Sequence, residues 1–106
     1  MGKQTRKRPR RLPEKLLEIR RRLGLSQGEM VRRIGMEDEI ERDYVSKYER
    51  GTLEPSLWVL LQYARAANLW ADVLIDNDLD LPERLPAKSK SEGVRQKRTA
   101  ATRPKR

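Results

Sequence analysis

The chain has 106 residues, of which 39% are charged and 36% hydrophobic, and it contains no cysteine, no histidine and no phenylalanine. This length suits one small domain with tails, and the lack of cysteine excludes disulfides and thiol chemistry. No apolar run approaches membrane-spanning length, and no apolar stretch follows the basic N-terminus as it would in a secretory signal. We therefore expect a cytoplasmic protein with a mainly aliphatic core.

The net charge of +9 is unevenly distributed along the chain. Residues 1–11 carry six Lys or Arg and no acid, whereas residues 12–82 carry ten basic and fourteen acidic side chains, a net charge of −4. Residues 83–106 carry nine Lys or Arg and two Glu, a net charge of +7. Basic tails on a mildly acidic domain indicate a polyanionic partner, usually nucleic acid. The alternative is that the tails serve only solubility.

The first helix is predicted to follow a disordered basic arm, residues 1–11, which has no apolar periodicity. Pro13 suits a first helical turn, so the helix should open at Leu12, and Gly24 should end it. Its apolar face is formed by Leu16, Ile19 and Leu23.

A second helix is predicted from Gln27 to about Ile34. Ser26 can cap it, and Glu29 three residues later completes a capping box. Gly35 can adopt the left-handed conformation that ends a helix.

The connection at residues 36–44 holds five acids and one Arg, and it is longer than a simple turn. Asp38 could cap a helix that begins here, with Glu41 at its third position. A continuous apolar stripe would then run through Ile40, Tyr44, Val45 and Tyr48. We favour this lengthened third helix over a longer loop.

A fourth helix should begin after Ser56 and end at Asn68, with a short fifth helix at about residues 71–77. The side chains predicted to line the buried face of the fourth helix are Leu57, Leu60, Leu61 and Ala64. Leu79, Leu81 and Leu85 are expected to fold back on the domain. The remaining residues have no core-forming pattern and should be disordered.

In this order, these features resemble the phage-repressor, or Cro/XRE-type, helix-turn-helix family over about residues 12–76. The matching residues are Ile19, Arg20, Gly24, Leu25, Ser26, Gln27, Met30, Val31, Ile34, Gly35, Val45, Ser46, Glu49, Arg50, Gly51, Pro55, Ser56, Leu60, Ala64 and Leu74. The resemblance implies an all-α fold: a compact five-helix, lambda-repressor-like domain at residues 12–82, between disordered basic tails at 1–11 and 83–106. The longer connection after Gly35 departs from the family pattern.

The outer face of the third helix carries the candidate DNA contacts. At about 100° per residue, the side opposite Val45 and Tyr48 presents Arg42, Asp43, Ser46, Lys47 and Arg50. The resemblance implies that Arg42, Asp43 and Lys47 read base edges in double-stranded DNA. Arg and Lys can donate to guanine, and Asp can accept from cytosine. It also implies that Gln27 clamps a phosphate.

The resemblance implies further that Arg20 and Glu49 form an ion pair between the first and third helices; the alternative is two independent surface charges. Family members commonly dimerise through the region of the fourth and fifth helices. Trp58 and Trp70 flank the fourth helix and are therefore candidates for a homodimer interface, unless both cap the core.

The tails supply two further candidate interactions. The side chains predicted to contact the DNA backbone from the N-terminal arm are Arg6, Lys7, Arg8, Arg10 and Arg11. The C-terminal tail is the better candidate for binding a protein partner.

Few residues are suited to catalysis. Without histidine, neither a Ser-His-Asp triad nor a His-ligated metal is possible. Residues 76–80 begin like a calcium loop, but Leu81 replaces the required glycine and Ala87 occupies the position of the bidentate Glu. We expect no enzymatic activity, no metal and no cofactor.

The main hypothesis is a sequence-specific DNA-binding transcriptional regulator, most simply a repressor that acts as a dimer. One alternative is the antitoxin of a toxin–antitoxin pair that also represses its own promoter. Another is a ribosome- or nucleoid-associated accessory protein with little sequence preference. The acidic residues 36–44 would repel phosphates if they faced DNA, so this segment either points away from the backbone or binds a protein.

Overall fold

The computed structural model describes residues 7–87, which form five α-helices and no strand. In chain order these are α1 (Leu12–Leu23), α2 (Gln27–Arg33), α3 (Arg42–Arg50), α4 (Leu57–Ala67) and α5 (Ala71–Ile75). α1 is central and contacts α3, α4 and α5, while α2 packs on α3 and α4 packs on α5. The predicted all-α, five-helix fold is confirmed.

One hydrophobic cluster joins all five helices. Its aliphatic side chains come chiefly from α1 and α4, with fewer from α2, α3 and α5, and two tyrosines replace the absent phenylalanines. Full burial of each large apolar side chain contributes about 1.5–3 kcal/mol relative to exposure, so the cluster is the main source of stability. The most deeply buried members are Leu16, Ile19, Met30, Val45, Tyr63 and Leu74.

Serine caps fix where α2 and α4 begin. Ser26 Oγ accepts from the Glu29 N–H at 3.1 Å, and Glu29 Oε1 accepts from the Ser26 N–H at 2.8 Å, which completes the capping box. Hydrogen bonds to the Ser26 backbone and side chain lower the pKa of the Glu29 carboxyl. Ser56 Oγ likewise accepts from the Val59 N–H at 3.2 Å. Both caps satisfy backbone donors that a helix start leaves without partners.

Residues 36–41 form a loop, so the predicted lengthening of the third helix is wrong. α3 begins only at Arg42, after Glu41 in an extended conformation. A single turn forms earlier, where the Met36 carbonyl accepts from the N–H groups of Glu39 at 2.8 Å and Ile40 at 2.9 Å. Met36 and Ile40 are buried. Their apolar spacing of four residues therefore anchors a loop to the core at two points instead of extending a helix.

The buried face of α4 also differs from the prediction. Leu57 is 80% exposed, and Val59 and Tyr63 are buried instead. Leu57 lies in the first turn and about 90° around the helix from the centre of the buried face, so the core does not reach it. Leu60 and Ala64 are buried as predicted.

The folded part extends past residue 82, the predicted boundary. Asn68 Nδ2 donates to the Pro86 carbonyl at 2.7 Å, and Arg22 donates to the Pro82 carbonyl. Leu85 is half-buried against the core. Residues 83–87 thus pack on the domain rather than belonging to a disordered tail. Residues 1–6 and 88–106, including most of the C-terminal segment proposed to bind a protein partner, lie outside the described residues.

Lys15 ties α1 to the end of α5 from within the core. Its side chain is 2% exposed, and Nζ donates to the carbonyls of Val73 at 2.7 Å and Asp76 at 2.9 Å. These carbonyls lie at a helix end, where no intrahelical donor is available. Burial lowers the pKa of the Lys15 ammonium. The cation therefore stabilises the docking of α5 on α1 at the expense of its own solvation.

We expect Lys15→Met to lower the free energy of unfolding by about 1–3 kcal/mol, because the Val73 carbonyl loses its side-chain donor and the Asp76 carbonyl keeps only the Leu79 N–H, while the apolar stem is retained. Urea denaturation followed by tryptophan fluorescence would measure this. Arg21→Met, at an exposed position on the same helix, is the control. Equal stability of the two variants would show that the buried ammonium contributes nothing to the fold.

Candidate nucleic-acid interface

α3 has a polar outer face because its apolar side chains pack into the core. Val45 and Tyr48 are buried, and Tyr48 also meets the Tyr44 ring edge-on with centroids 6.5 Å apart. Five of the polar side chains predicted to contact DNA lie on α3, where Ser46 is half-buried and the exposed ones are Arg42, Asp43, Lys47 and Arg50. The structure thus brings the predicted base-reading residues together on one helix surface.

Gly51 ends α3 and turns the chain towards α4. Its φ of +77° lies in the left-handed region, and a Cβ here would approach Pro13 Cγ to 3.3 Å, so both conformation and space favour glycine. Thr52 then donates to the Lys47 carbonyl from its N–H at 3.0 Å and from its hydroxyl at 3.3 Å. Both bonds therefore satisfy the backbone carbonyl of Lys47, a predicted DNA-contacting residue in the last turn of α3.

Arg20 and Glu49 form a bidentate ion pair between α1 and α3. Arg20 Nε lies 2.6 Å from Glu49 Oε2, and Nη2 lies 3.0 Å from Oε1. The two side chains are only 17% and 6% exposed, so water screens the pair weakly. The hydrogen bonds that Arg20 donates to the Glu49 carboxylate raise the pKa of Arg20. Arg20 Nη1 also donates to the Leu25 carbonyl at 2.9 Å, which fixes the connection into α2.

Gln27 joins the same carboxylate from the start of α2. Its Nε2 donates to Glu49 Oε1 at 3.2 Å, so this carboxylate links α1, α2 and α3. The Gln27 amide, which is predicted to clamp a phosphate, is therefore oriented by its hydrogen bond to Glu49. Such second-layer hydrogen bonds hold a contact residue in one geometry before its partner arrives.

Tyr63, a residue of α4, lies close to the ion pair between Arg20 and Glu49. Its hydroxyl is buried and has no hydrogen-bond partner within residues 7–87. Burial raises the pKa of the Tyr63 phenol, and the nearby Glu49 carboxylate raises it further. The aromatic ring therefore contributes to packing while its hydroxyl stays neutral.

Arg11, predicted to contact the DNA backbone from the arm, makes hydrogen bonds and ion pairs with the domain itself. Its Nη2 lies 2.6 Å from Asp80 Oδ1, and its Nη1 donates to the carbonyls of Asn77 at 3.0 Å and Leu79 at 3.3 Å. Its Nε lies 3.3 Å from Glu14 Oε2. The two carboxylates raise the pKa of Arg11, and the hydrogen bond that Arg11 donates to Asp80 is the largest cause.

The other described basic residues of the arm remain exposed. These are Lys7, Arg8 and Arg10, whereas Arg6 lies outside the described residues. Arg8 and Arg10 line a cavity of about 360 Å³, whose opposite wall includes Tyr48 and the loop of residues 51–55. The arm therefore approaches the domain beside the C-terminal end of α3.

Both candidate interface tryptophans are exposed. Trp58 on α4 is 57% exposed and Trp70, which precedes α5, is 46% exposed, so neither caps the core. The exposed Leu57 adds apolar area next to Trp58 in the sequence. Leu57 was not predicted to be exposed, because its spacing of three residues to Leu60 matches a core position.

The hydrogen bonds of Asn77 were not predicted either, because its partners are remote in sequence and no local pattern marks them.

A scan against family models matches residues 12–77 to a family described as a helix-turn-helix domain. The chain therefore belongs to the helix-turn-helix domain family, in agreement with its resemblance to phage-repressor proteins. α2 and α3 correspond to the two helices of the motif, whose second helix enters the DNA major groove in proteins of this class. The family assignment indicates a DNA-binding regulator.

Searches of curated proteins and of solved structures returned no match. Within the part of the chain that the structure describes, no helix is long and apolar enough to cross a membrane. No group of three or more potential metal ligands occurs among residues 7–87.

We expect Glu49→Ala to lower the free energy of unfolding by about 3–5 kcal/mol, because it leaves the half-buried Arg20 uncompensated and removes the acceptor of Gln27. Thermal and urea denaturation would measure the loss. Glu39→Ala removes the same charge at an exposed loop position and should be close to neutral. Similar stability of both variants would contradict a structural role for the pair.

Proposed function

We propose that this protein is a sequence-specific DNA-binding transcriptional regulator, most simply a repressor, that reads the major groove with α3. One observation carries the proposal: the inner side of α3 is fixed to the rest of the domain, while its outer face is exposed. Glu49 on the inner side bonds Arg20 and Gln27. Within residues 7–87 the side chains of Arg42, Asp43 and Lys47 make no hydrogen bond or ion pair with the domain, so they are available for base edges.

The types of these side chains suit base recognition. Arg42 can donate two hydrogen bonds to the O6 and N7 atoms of guanine, and Lys47 can donate to the same atoms. Asp43 can accept from the N4 amino group of cytosine. Arg42 and Asp43 occupy the first turn of α3, and it is the N-terminal part of such a helix that contacts bases in related motifs.

Attraction to DNA has to come largely from outside the helical domain. Residues 12–82 carry a net charge of −4, and the loop between α2 and α3 exposes Glu37, Asp38 and Glu39. Arg8 and Arg10 are exposed and line the cavity beside the end of α3, and the exposed Lys7 lies next to residues 75–78. We propose that these basic residues, with Arg6, contact phosphates and offset the repulsion from the acidic loop.

We further propose that the protein acts as a homodimer on a two-fold operator. Leu57, Trp58 and Trp70 are large apolar side chains on the α4–α5 surface, and their exposure has a solvation cost that a second copy would relieve. A two-fold dimer would place two copies of α3 on the same side of the duplex, in half-sites about one helical turn apart.

We expect Arg42→Ala and Lys47→Ala each to weaken binding to the preferred site by about 1–3 kcal/mol, because each removes a base contact, and to have little effect on random DNA. The preferred site would come from selection of bound duplexes from a random pool. Fluorescence anisotropy at fixed salt would then compare that site with scrambled DNA.

Arg84→Ala provides a charge-matched control, since Arg84 is exposed next to the cavity at the C-terminal ends of α1 and α4. It should change binding to both DNAs slightly and equally. If Arg42→Ala and Lys47→Ala also weaken both DNAs equally, they contact phosphates. If the pool yields no preferred sequence, specific regulation is ruled out.

We expect Trp58→Ala to weaken self-association at least tenfold without unfolding the domain, because exposed aromatic side chains at the centre of an interface often dominate its energy. Sedimentation equilibrium would measure the association constant and circular dichroism the fold. Tyr44→Ala, at an exposed aromatic position on α3, is the control. A monomer at high concentration, with and without DNA, would eliminate the dimer.

A further inference from the structure

Asn77, two residues beyond α5, holds the chain at the point where the N-terminal arm begins. Its Oδ1 accepts from the backbone N–H of Arg11 at 3.4 Å, and its Nδ2 donates to the carbonyl of Arg8 at 2.9 Å. Its own carbonyl accepts from Arg11 Nη1 at 3.0 Å. One residue thus bonds to both ends of the segment 8–11.

The segment between these two points is itself folded. The Leu12 N–H donates to the Pro9 carbonyl at 3.1 Å, which closes a turn just before α1. The Arg11 guanidinium adds bonds to the Leu79 carbonyl and to Asp80. We call the contacts that residues 77–80 make with residues 8–11 the arm clamp. Its two sides lie 66 to 69 residues apart in the sequence.

The arm clamp determines where the basic arm leaves the domain. Arg8 and Arg10 line the cavity that faces Tyr48 and residues 51–55, next to the end of α3. Lys7, the next residue along the arm, lies beside Asn77 and its neighbours. If Arg8 were released, the same basic residues could leave in many directions, most of which lead away from DNA bound at α3.

We propose that Asn77 is a positioning residue for DNA binding: by fixing Arg8 and Arg11, it directs the basic arm towards the duplex that α3 reads. This inference rests on the proposed function. The arm then pays less conformational entropy when it meets phosphates, because part of its ordering is complete in the free protein. Asn77 itself need not touch DNA.

The first experiment measures the arm clamp without DNA. Asn77→Ala in the full chain leaves the net charge unchanged and removes both side-chain bonds. Backbone hydrogen exchange of Arg11 and Leu12 should become about tenfold faster, the change expected for loss of a hydrogen bond of ordinary strength. Gln62→Ala is the matched control, because this amide on α4 has no hydrogen bond within the described part of the chain. Unchanged exchange in Asn77→Ala would overturn the proposal.

The second experiment tests positioning by a double-mutant cycle in the full chain. One background keeps the native arm, and the other, the neutral arm, carries Lys3→Gln, Arg6→Gln, Lys7→Gln, Arg8→Gln and Arg10→Gln together. Asn77→Ala should lower affinity for the selected site about 3–10-fold with the native arm and leave it unchanged with the neutral arm. A loss caused only by general destabilisation of the domain would be equal in both backgrounds.

The outcomes separate this inference from the proposed function. If the unsubstituted chain does not bind DNA, the proposed function fails and the inference fails with it. If it binds, and Asn77→Ala has equal effects in both backgrounds or none in either, the inference is overturned while the proposed function stands. Faster exchange together with a loss of affinity confined to the native arm supports it.

Discussion

The bidentate pair between Arg20 and Glu49 is the interaction on which the arrangement of the helix-turn-helix depends. α3 is short, and a nine-residue helix has little stability without tertiary contacts. Val45 and Tyr48 hold it by apolar packing, which is non-directional, whereas a two-bond ion pair fixes orientation as well. Because Gln27 shares the carboxylate, the angle between the two helices of the motif and the side chain at the start of α2 are set together.

Around this centre, the domain uses polar contacts to hold segments that hydrophobic packing does not reach. Lys15 holds the end of α5, and Asn68 holds the chain at Pro86. The loop before α3 is different, because Met36 and Ile40 anchor it through the core. Its acidic side chains stay outside, so the loop adds negative charge near α3 without disturbing the helix itself. In the proposed function, binding to DNA would then depend on a balance between this acidic loop and the basic arm.

The sequence was sufficient for those features that arise from neighbouring residues. The capping box at Ser26 and the glycine end at Gly51 depend on residues within one helical turn, and the apolar spacing on α1 depends on a single helix. The loop was mispredicted because apolar residues four apart, such as Met36 and Ile40, fit a helix stripe and a two-point anchor equally well. The role of base reading was predicted for Arg42, Asp43 and Lys47 from the family resemblance. The structure adds that these three side chains are exposed together on α3.

The arm clamp has a consequence for the order of events during synthesis. Residues 8–11 are synthesised before their partners Asn77 and Asp80, which follow 66 to 69 residues later. Contacts of such long range form only after the intervening chain has left the ribosome. A nascent chain that already contains α2 and α3 therefore still lacks the arm clamp. Under the proposed function, full electrostatic engagement of DNA would wait until translation has passed α5.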